Sequence, residues 1–238
     1  MEVPLISLSR VTKHFGGLTA VRDVSFDVQA GEIVGLMGPN GAGKTTLLNV
    51  ISGEYKADSG TIKFRGHNIV GLAGHKVNHL GIVRTFQIPL PFTHLTARQN
   101  LLVAARFGAG LDSTAAEDEA DRLLEITKLT PKKDMLTRDL LTATLKRLEV
   151  ARALASRPDL LLLDEVAAGL TETELPTMLG IIRKMHDMGI TIILIEHVMK
   201  VMMEAVDRVI VMDGGSKIAE GTIKEIMENQ QVIKAYFG

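Results

Sequence analysis

Residues 38–45 read Gly-Pro-Asn-Gly-Ala-Gly-Lys-Thr and fit the pattern G-x-x-x-x-G-K-[ST]. Glycines in such a stretch let successive backbone N–H groups turn inward and cradle phosphate oxygens. Lys44 can then reach the β- and γ-phosphates, the Thr45 hydroxyl can bind Mg²⁺, and the N-terminus of a following helix adds a favourable dipole. An apolar run at 33–37 precedes the stretch, and a helical pattern follows at about 45–52. The sequence therefore predicts a strand, a phosphate-binding loop and a helix in direct succession.

Further apolar runs read as buried strands, and two of them end in acidic or basic side chains. These runs cover residues 160–163, 190–195 and 208–212. Asp164 and Glu165 follow the first run, and Glu196 and His197 follow the second. An open α/β sheet places its ligand at the carboxyl ends of its strands. Asp164 is therefore predicted to hold the Mg²⁺ shell and Glu165 to polarise a water for in-line attack on the γ-phosphate, although an Asp-Glu pair taken alone also fits the polar start of a loop.

The rest of the chain has two other patterns. Alternation at 5–11, 23–28 and 61–65, broken by turns, predicts a small antiparallel sheet. Residues 89–152 look helical: Thr96 and Gln99 form a capping box for a helix to Phe107, and 115–129 carries an apolar stripe beside an acidic face. These patterns predict an α/β fold with a largely parallel sheet, a small antiparallel sheet beside it and a helical region.

The composition excludes several classes of protein. The chain has 238 residues, of which 46% are hydrophobic and 23% charged, enough for a sizeable core. A net charge of −1 provides no basic field, so nucleic acid is not expected as a partner. The absence of cysteine excludes disulfides and thiolate metal sites. No apolar run approaches the roughly 18 residues that span a bilayer, and the N-terminus lacks a signal-peptide pattern, so we expect a soluble chain that reaches a membrane only through a partner.

The order and spacing of five elements resemble the nucleotide-binding subunits of ABC transporters over essentially the full chain. The phosphate loop matches their Walker A motif, and residues 160–165 match their Walker B motif with the catalytic glutamate. Gln87 matches the glutamine of the Q-loop, and His197 matches the switch histidine. Phe15, which precedes the phosphate loop, matches the aromatic residue that stacks on adenine.

This resemblance implies a role for each matched residue, with ATP as the substrate and Mg²⁺ as the cofactor. The implied catalytic residues are Glu165, His197 and Gln87. The implied Mg²⁺ ligands are Thr45, Gln87 and Asp164. The implied nucleotide contacts are Phe15, Gly38, Asn40, Gly41, Ala42, Gly43, Lys44, Thr45 and Thr46. The family also implies the fold, an α/β P-loop NTPase (RecA-like) core with an N-terminal antiparallel β-subdomain and an inserted α-helical subdomain. The chain would then be a single ABC ATPase domain over 1–238, with the nucleotide-binding core and β-subdomain at 1–88 and 153–238 and the inserted helical subdomain at 89–152.

Four further stretches resemble one branch of that family, the branched-chain amino acid importer ATPases of the type that carries Arg-Thr-Phe-Gln. They are residues 83–87, 148–154, 195–200 and 232–236. The resemblance implies an ATP-hydrolysing subunit that powers uptake of branched-chain or related hydrophobic amino acids. Related systems take urea, amides or aromatic acids, lipopolysaccharide-export ATPases are close in length, and soluble ABC ATPases act in translation or DNA repair. These alternatives stay open.

The same resemblance implies partners and a location. ABC importers combine integral membrane permease subunits, a homo- or heterodimer of ATPase subunits, and a periplasmic or extracellular solute-binding protein. Such a subunit lies peripherally on the cytoplasmic face of the cell membrane and is soluble when expressed alone. Residues 89–92 follow Gln87, where the family receives its permease, so we expect an interface there.

The sequence departs from the family at the signature motif, usually written Leu-Ser-Gly-Gly-Gln. Counting back from residues 151–154 places the motif on 140–144, although a slip of one residue would put Thr142 at the serine position. The residues implied to contact the ATP of the other subunit are Leu141, Thr142, Ala143 and Thr144. In addition, Val166 replaces the usual proline after the catalytic glutamate, and Thr171 replaces the acid of the D-loop. The signature residues, which would contact the ATP of the partner subunit, are therefore expected to bind ATP less well than the Walker motifs, which would bind the chain's own ATP.

Overall fold

The computed structural model describes residues 3–237, so residues 1, 2 and 238 of the predicted domain lie outside the described residues. The strands are β1 (Ile6–Phe15), β2 (Leu18–Val28), β3 (Ile33–Met37), β4 (Ser59–Phe64), β5 (His67–Asn68), β6 (Ile82–Arg84), β7 (Leu160–Asp164), β8 (Thr191–Ile195), β9 (Arg208–Asp213) and β10 (Ser216–Gly221). The helices are α1 (Lys44–Ile51), α2 (Gly74–His79), α3 (Ala97–Phe107), α4 (Ser113–Ile126), α5 (Thr142–Ala155), α6 (Leu175–Asp187), α7 (Met199–Ala205), α8 (Ile223–Glu228) and α9 (Gln230–Phe237). Within the described range, no helix has both the length and the hydropathy to cross a bilayer.

Six strands form the central sheet in the order β10-β9-β3-β8-β7-β6. β3 pairs in parallel with β8 and β9, β7 pairs in parallel with β6 and β8, and β10 runs antiparallel to β9. Every residue of β3, β7 and β8 is buried, because a parallel sheet is covered on both faces. The predicted α/β core with a largely parallel sheet is confirmed.

Alternate residues of the central strands face two separate apolar cores, as the two-residue period of a strand requires. On β3, Val34 and Leu36 pack in the core that contains α1 and the antiparallel sheet. Ile33 and Met37 pack in the other core, with helices α3 to α6. Helix α1 therefore lies between the two sheets, and its packing on both sides fixes the loop that precedes it.

The remaining four strands form an antiparallel sheet in the order β2-β1-β4-β5, which confirms the predicted β-subdomain. The predicted segments overlap β1, β2 and β4, although 5–11 begins one residue before β1 and 61–65 ends one residue after β4. The first two strands are also longer than their alternation indicated. β1 continues to Phe15 and β2 begins at Leu18, and these two residues face each other at the hairpin. The extension carries Phe15 away from the core of the sheet.

Helices α3, α4 and α5 pack against one another. The predicted capping box is present at α3: the Thr96 hydroxyl accepts the Gln99 N–H at 3.1 Å, and the Gln99 side chain accepts the Thr96 N–H at 2.8 Å. The buried face of α4 includes Ala116, Ala120, Leu123 and Leu124, the predicted stripe. The limits at 89 and 152 stay a prediction.

Candidate active site

The phosphate loop joins the carboxyl end of β3 to the N-terminus of α1. All three of its glycines have a positive φ that glycine adopts easily: 147° at Gly38, 81° at Gly41 and 96° at Gly43. Space is also lacking, because a Cβ atom at Gly38 would lie 2.1 Å from the carbonyl oxygen of Met212, and one at Gly43 would lie 2.2 Å from that of Ala20. The loop is therefore held closely against β9 and β2. It forms a tight turn at a helix N-terminus, the arrangement that binds phosphate.

Lys44 is buried at the start of α1, against the loop it follows. Its ammonium donates to the carbonyl oxygens of Gly38 at 2.7 Å and Pro39 at 2.9 Å. Burial lowers the pKa of Lys44, and the carboxylates of Glu165 and Asp164 act in the opposite direction. Phosphate oxygens are stronger acceptors than carbonyl oxygens. The ammonium is therefore held where it can turn to a phosphate that enters the loop.

A cavity of about 600 Å³ opens beside the phosphate loop, within the usual size of small-molecule sites. All the predicted nucleotide contacts except Gly38 line it, and Glu165 and His197 line it as well. Gln87 and Asp164 lie outside this lining. The cavity thus brings together side chains from β1, the phosphate loop, and the loops after β7 and β8.

Phe15 ends β1 at the edge of this cavity and is 42% exposed. The ring of Tyr55 meets it edge-on, with centroids 5.2 Å apart and planes at 78°. The Lys13 ammonium lies 5.4 Å from the Phe15 centroid. An exposed ring held in this way offers a face for a base, and such stacking contributes about 1–3 kcal/mol per base in nucleic-acid complexes. Tyr55 belongs to no motif, so sequence reasoning missed it.

The side chain of Glu165 contacts those of the two other predicted catalytic residues. Gln87 Nε2 donates to one of its carboxylate oxygens at 2.6 Å, and His197 Nε2 lies 3.2 Å from the other. The three residues follow β6, β7 and β8, which are neighbours in the sheet. The carboxyl ends of parallel strands share one edge, so residues distant in sequence come within hydrogen-bond distance there.

Asp164 is buried at the end of β7 and pairs with a residue that was not predicted to take part. Arg84, at the end of β6, donates to the Asp164 carboxylate at 2.9 Å and also bonds the side chain of Asn49 on α1. Burial raises the pKa of Asp164, while the Arg84 guanidinium opposes that shift through its hydrogen bond and charge. A buried carboxylate is tolerated when it is paired in this way. In the sequence, Arg84 stood out only as part of the Arg-Thr-Phe-Gln motif.

The oxygen atoms near the phosphate loop suit Mg²⁺. Asp164 offers a carboxylate, Thr45 a hydroxyl and Gln87 an amide oxygen, all hard donors. Mg²⁺ is usually held by one or two carboxylates together with substrate phosphates, rather than by a cage of protein ligands alone. The donor set therefore fits a metal that arrives with a nucleotide.

The predicted signature residues lie at the N-terminus of α5 and are not brought to the phosphate loop of the same chain. Leu141 is the N-cap residue, lacks a side-chain capping bond, and is 80% exposed. Thr142 and Ala143 begin the helix. Thr144 is buried and its hydroxyl lies 3.5 Å from Arg147 of its own helix. The surface at this helix N-terminus is therefore formed by Leu141, Thr142 and Ala143 rather than by Thr144.

The C-terminal helix also reaches the phosphate loop. The Tyr236 hydroxyl on α9 accepts the Gly38 N–H at 2.8 Å, and burial raises the pKa of that hydroxyl. The two residues are 198 positions apart, so no local pattern could have indicated the contact.

Two family models match the chain. The one described as ABC transporter matches residues 21–168, and the one described as branched-chain amino acid ATP-binding cassette transporter matches residues 216–238. The high-affinity branched-chain amino acid transport ATP-binding protein BraF of Pseudomonas aeruginosa is 40% identical, over 100% of this chain and 99% of that protein. The protein LivG of Escherichia coli, with the same description, is also 40% identical over 100% and 99% of the two chains.

A solved structure gives the same result for the fold. A crystal structure described as the ADP conformation of an ATP-binding cassette of an ABC transporter superposes with a TM-score of 0.88. It is 30% identical and covers 100% of both chains. The chain therefore belongs to the ABC transporter family of ATP-hydrolysing subunits, in the group that includes the branched-chain amino acid transport ATP-binding proteins.

Proposed function

We propose that the chain hydrolyses ATP to power an importer of branched-chain or related hydrophobic amino acids, with Glu165 as the general base. One observation carries the catalytic part of this proposal. The Glu165 carboxylate lines the phosphate-loop cavity while Gln87 and His197 contact it at 2.6 Å and 3.2 Å. A carboxylate placed and oriented in this way can accept a proton from the water that attacks a γ-phosphate.

The nucleotide would be bound and oriented by groups on this chain. Phe15 offers its ring to the adenine, and the loop N–H groups with the N-terminus of α1 take the phosphates. Lys44 exchanges its two loop carbonyls for oxygens of the β- and γ-phosphates. Because these groups and Glu165 line one cavity, a bound γ-phosphate lies close to Glu165.

In the chemical step, the water oxygen bonds to the γ-phosphorus as the bond from that phosphorus to the ADP oxygen breaks. The Glu165 carboxylate takes the proton that the water loses, and ADP and phosphate result. Gln87 and His197 contact different carboxylate oxygens, so together they restrict rotation of the Glu165 side chain. Restricting that rotation lowers the entropy lost on reaching the transition state.

Thr45, Gln87 and Asp164 would hold Mg²⁺. When bound, Mg²⁺ would offset the negative charge on the β- and γ-phosphates. Arg84 and Asn49 hold the Asp164 side chain from the side of β6 and α1. This pairing keeps the carboxylate at the edge of the sheet where the phosphate loop ends.

The cargo is inferred from the relatives. BraF and LivG are described as branched-chain amino acid transport ATP-binding proteins, and residues 216–238 match the model of that group. The alternatives are an ABC ATPase for urea, amides, aromatic acids or lipopolysaccharide, or a soluble ABC ATPase. The nucleotide site does not discriminate among them, because a cargo crosses the membrane through another subunit.

The surface after Gln87 supports a permease as partner. Ile88 is 72% exposed, and Leu90 and Phe92 are exposed as well. Clusters of exposed apolar side chains mark interaction sites. We assign this surface to an integral membrane permease, which would place the chain on the cytoplasmic face of the membrane. A second ATPase subunit would face the N-terminus of α5, and a periplasmic or extracellular solute-binding protein would complete the system.

Uptake of radiolabelled leucine by cells that lack this chain tests the proposal. We expect uptake to be lost without the chain, restored by the wild type, and not restored by Glu165→Gln. If cells without the chain take up leucine normally but lose urea or amide uptake, then the proposed cargo is wrong and the proposed ATPase activity still stands. Absence of any ATP hydrolysis by the complete transporter would contradict the proposed function.

A further inference from the structure

Lys146 is buried in the second turn of α5, with only 6% of its surface exposed. Lysine is among the residues least often buried without a partner. Burial lowers the pKa of the Lys146 ammonium, and the carboxylates of Glu196 and Glu165 act in the opposite direction. Specific contacts compensate the desolvation of this charge, and one of them is with Glu165, the proposed base.

The Lys146 ammonium donates to the main chain of Glu165. Its Nζ lies 2.7 Å from the Glu165 carbonyl oxygen, which also accepts the Ala168 N–H at 3.2 Å. At the other end of the same residue, the Glu165 N–H donates to the Ile195 carbonyl oxygen at 2.9 Å. Both backbone polar groups of Glu165 are thus attached to neighbours, one of them in α5 and one in β8.

These attachments matter because the Glu165 backbone is strained. Its φ is 51°, in the left-handed region that residues with a side chain rarely adopt. Such a conformation persists only where the surrounding structure over-determines it. The direction of the Glu165 side chain depends on this backbone, and in the observed conformation the carboxylate meets Gln87 and His197.

Glu196 balances the charge of Lys146 and joins the two loops of the site. Glu196 as a residue is 2% exposed, and its carboxylate accepts the Ala167 N–H at 2.5 Å and the His197 N–H at 3.3 Å. Ala167 lies in the loop after β7, and His197 in the loop after β8. The ammonium and this carboxylate attract each other within the same buried region.

We propose that Lys146 is a positioning residue for ATP hydrolysis, which fixes the main chain of Glu165 so that its carboxylate meets Gln87, His197 and the attacking water. This inference rests on the proposed role of Glu165 as the base. Lys146 does not line the phosphate-loop cavity, so it acts on the chemical step and not on nucleotide affinity. Because Lys146 belongs to α5, movement of that helix away from β7 would break its hydrogen bond to the Glu165 carbonyl oxygen. The Glu165 carboxylate would then lose the orientation needed to act as a base.

The substitution Lys146→Met tests this role, because methionine keeps an unbranched apolar chain and removes the ammonium. We expect kcat of the full chain to fall about tenfold to a hundredfold, as small displacements of a catalytic group do, with an unchanged dissociation constant for Mg-ATP. Lys146→Arg restores a charged donor and should recover most of the turnover. Normal turnover in Lys146→Met, or a loss confined to nucleotide affinity, would overturn the proposal.

A double-mutant cycle with Glu196 separates positioning from charge balance. If Lys146 served only to neutralise Glu196, then Lys146→Met would leave kcat unchanged in a Glu196→Gln background. We expect instead the same fold loss of kcat in both backgrounds. The melting temperature should behave differently, because Glu196→Gln removes a buried charge that Lys146→Met leaves uncompensated. The double variant should therefore be more stable than Lys146→Met alone.

Assaying Glu165→Gln in parallel separates failure of this inference from failure of the proposed function. Full hydrolysis by Glu165→Gln would refute the base itself. Lost hydrolysis in Glu165→Gln, with normal hydrolysis in Lys146→Met, would refute only the positioning role.

Discussion

The two surfaces that we propose to contact ATP differ sharply in their chemistry. The phosphate-loop surface presents Lys44 and Glu165, each within hydrogen-bond distance of two polar groups. The surface at the N-terminus of α5 presents Leu141, which is 80% exposed and makes no side-chain capping bond, followed by Thr142 and Ala143. Charged side chains that are held by polar contacts form the first surface, and small or apolar side chains form the second.

This difference indicates that the chain is better equipped to hold its own ATP than to complete the site of a partner. A helix N-terminus binds an anion through free N–H groups and a short hydroxyl side chain. In the ungapped register Leu141 has no hydroxyl, and Thr142 and Ala143 carry side chains where the family usually has at least one glycine. We propose that the chain works best beside a different ATPase subunit with a complete signature.

The largest expected effect comes from removing the charge of the phosphate-loop surface. Lys44→Ala should abolish tight binding of Mg-ATP, because no other ammonium lines that cavity among the described residues. Differential scanning fluorimetry measures this, since ligand at 100 times its dissociation constant stabilises a protein by about 2.7 kcal/mol. The wild type should show the shift and Lys44→Ala should not. An unchanged wild-type melting temperature at millimolar Mg-ATP would show that the phosphate-loop surface does not bind ATP.

The next largest effect is on turnover rather than binding. Glu165→Gln keeps the shape of the side chain and removes the proton acceptor, so turnover should fall roughly a hundredfold or more. Nucleotide affinity should persist, because Lys44 and the loop are untouched. His197→Ala should also reduce turnover, since His197 is one of the two groups that orient the carboxylate. Near-normal hydrolysis by Glu165→Gln would show that this surface lacks the proposed base.

The centre of the fold was predictable from sequence, and its edges were not. Strands β3, β7 and β8 are buried on both faces, so they read as continuous apolar runs and were predicted. Helix α3 was predicted because a capping box is a local signal. Strand β6 has only three residues and β10 is half-buried, so neither shows a recognisable period.

Predictability of the site follows the same division. The phosphate loop is a contiguous motif, and Asp164 and Glu165 follow a recognisable strand. His197 also follows a recognisable strand, but its role, like the choice of Gln87, came only from resemblance to a family. The contacts that support these residues were not predicted, because they join distant parts of the chain. They are Arg84 with Asp164, Lys146 with Glu165, and Tyr236 with Gly38, at separations of 80, 19 and 198 residues.

A smaller effect is expected from repairing the α5 surface. Replacing Leu141, Thr142 and Ala143 with Ser, Gly and Gly supplies a hydroxyl and frees the helix N–H groups. The purified wild type should be a weak ATPase, because both sites of a homodimer would use the altered signature. The triple variant should hydrolyse ATP severalfold faster in a steady-state assay, in line with the roughly 0.3–1 kcal/mol, and at most about 2 kcal/mol, that a helix terminus contributes to a charged group.

The rival interpretation of the α5 surface is that this signature works normally. It predicts a brisk wild-type rate that the triple substitution does not improve, and that result would rule out the asymmetric model. Helical content and melting temperature of the triple variant serve as controls, because glycine in the first turn of α5 costs about 1 kcal/mol per residue relative to alanine.

The smallest expected effect distinguishes the two surfaces most cleanly. Tyr236→Phe removes only the hydroxyl that accepts the Gly38 N–H, and a single hydrogen bond of this kind contributes about 0.5–1.5 kcal/mol. Mg-ATP affinity should therefore weaken by roughly twofold to tenfold, because the first residue of the loop loses its anchor. Tyr55→Phe, at the only other tyrosine in the chain, removes a hydroxyl but keeps its ring edge on Phe15, and it should change affinity less. Among the described residues, the Tyr236 hydroxyl bonds the phosphate loop, and no residue of α9 lines the cavity at the start of α5. The effects of Tyr236→Phe and the triple α5 substitution should therefore add in free energy. Strong non-additivity in a double-variant ATPase assay would mean that the two surfaces are coupled, through one chain or through the ATP shared in a homodimer, and do not act independently.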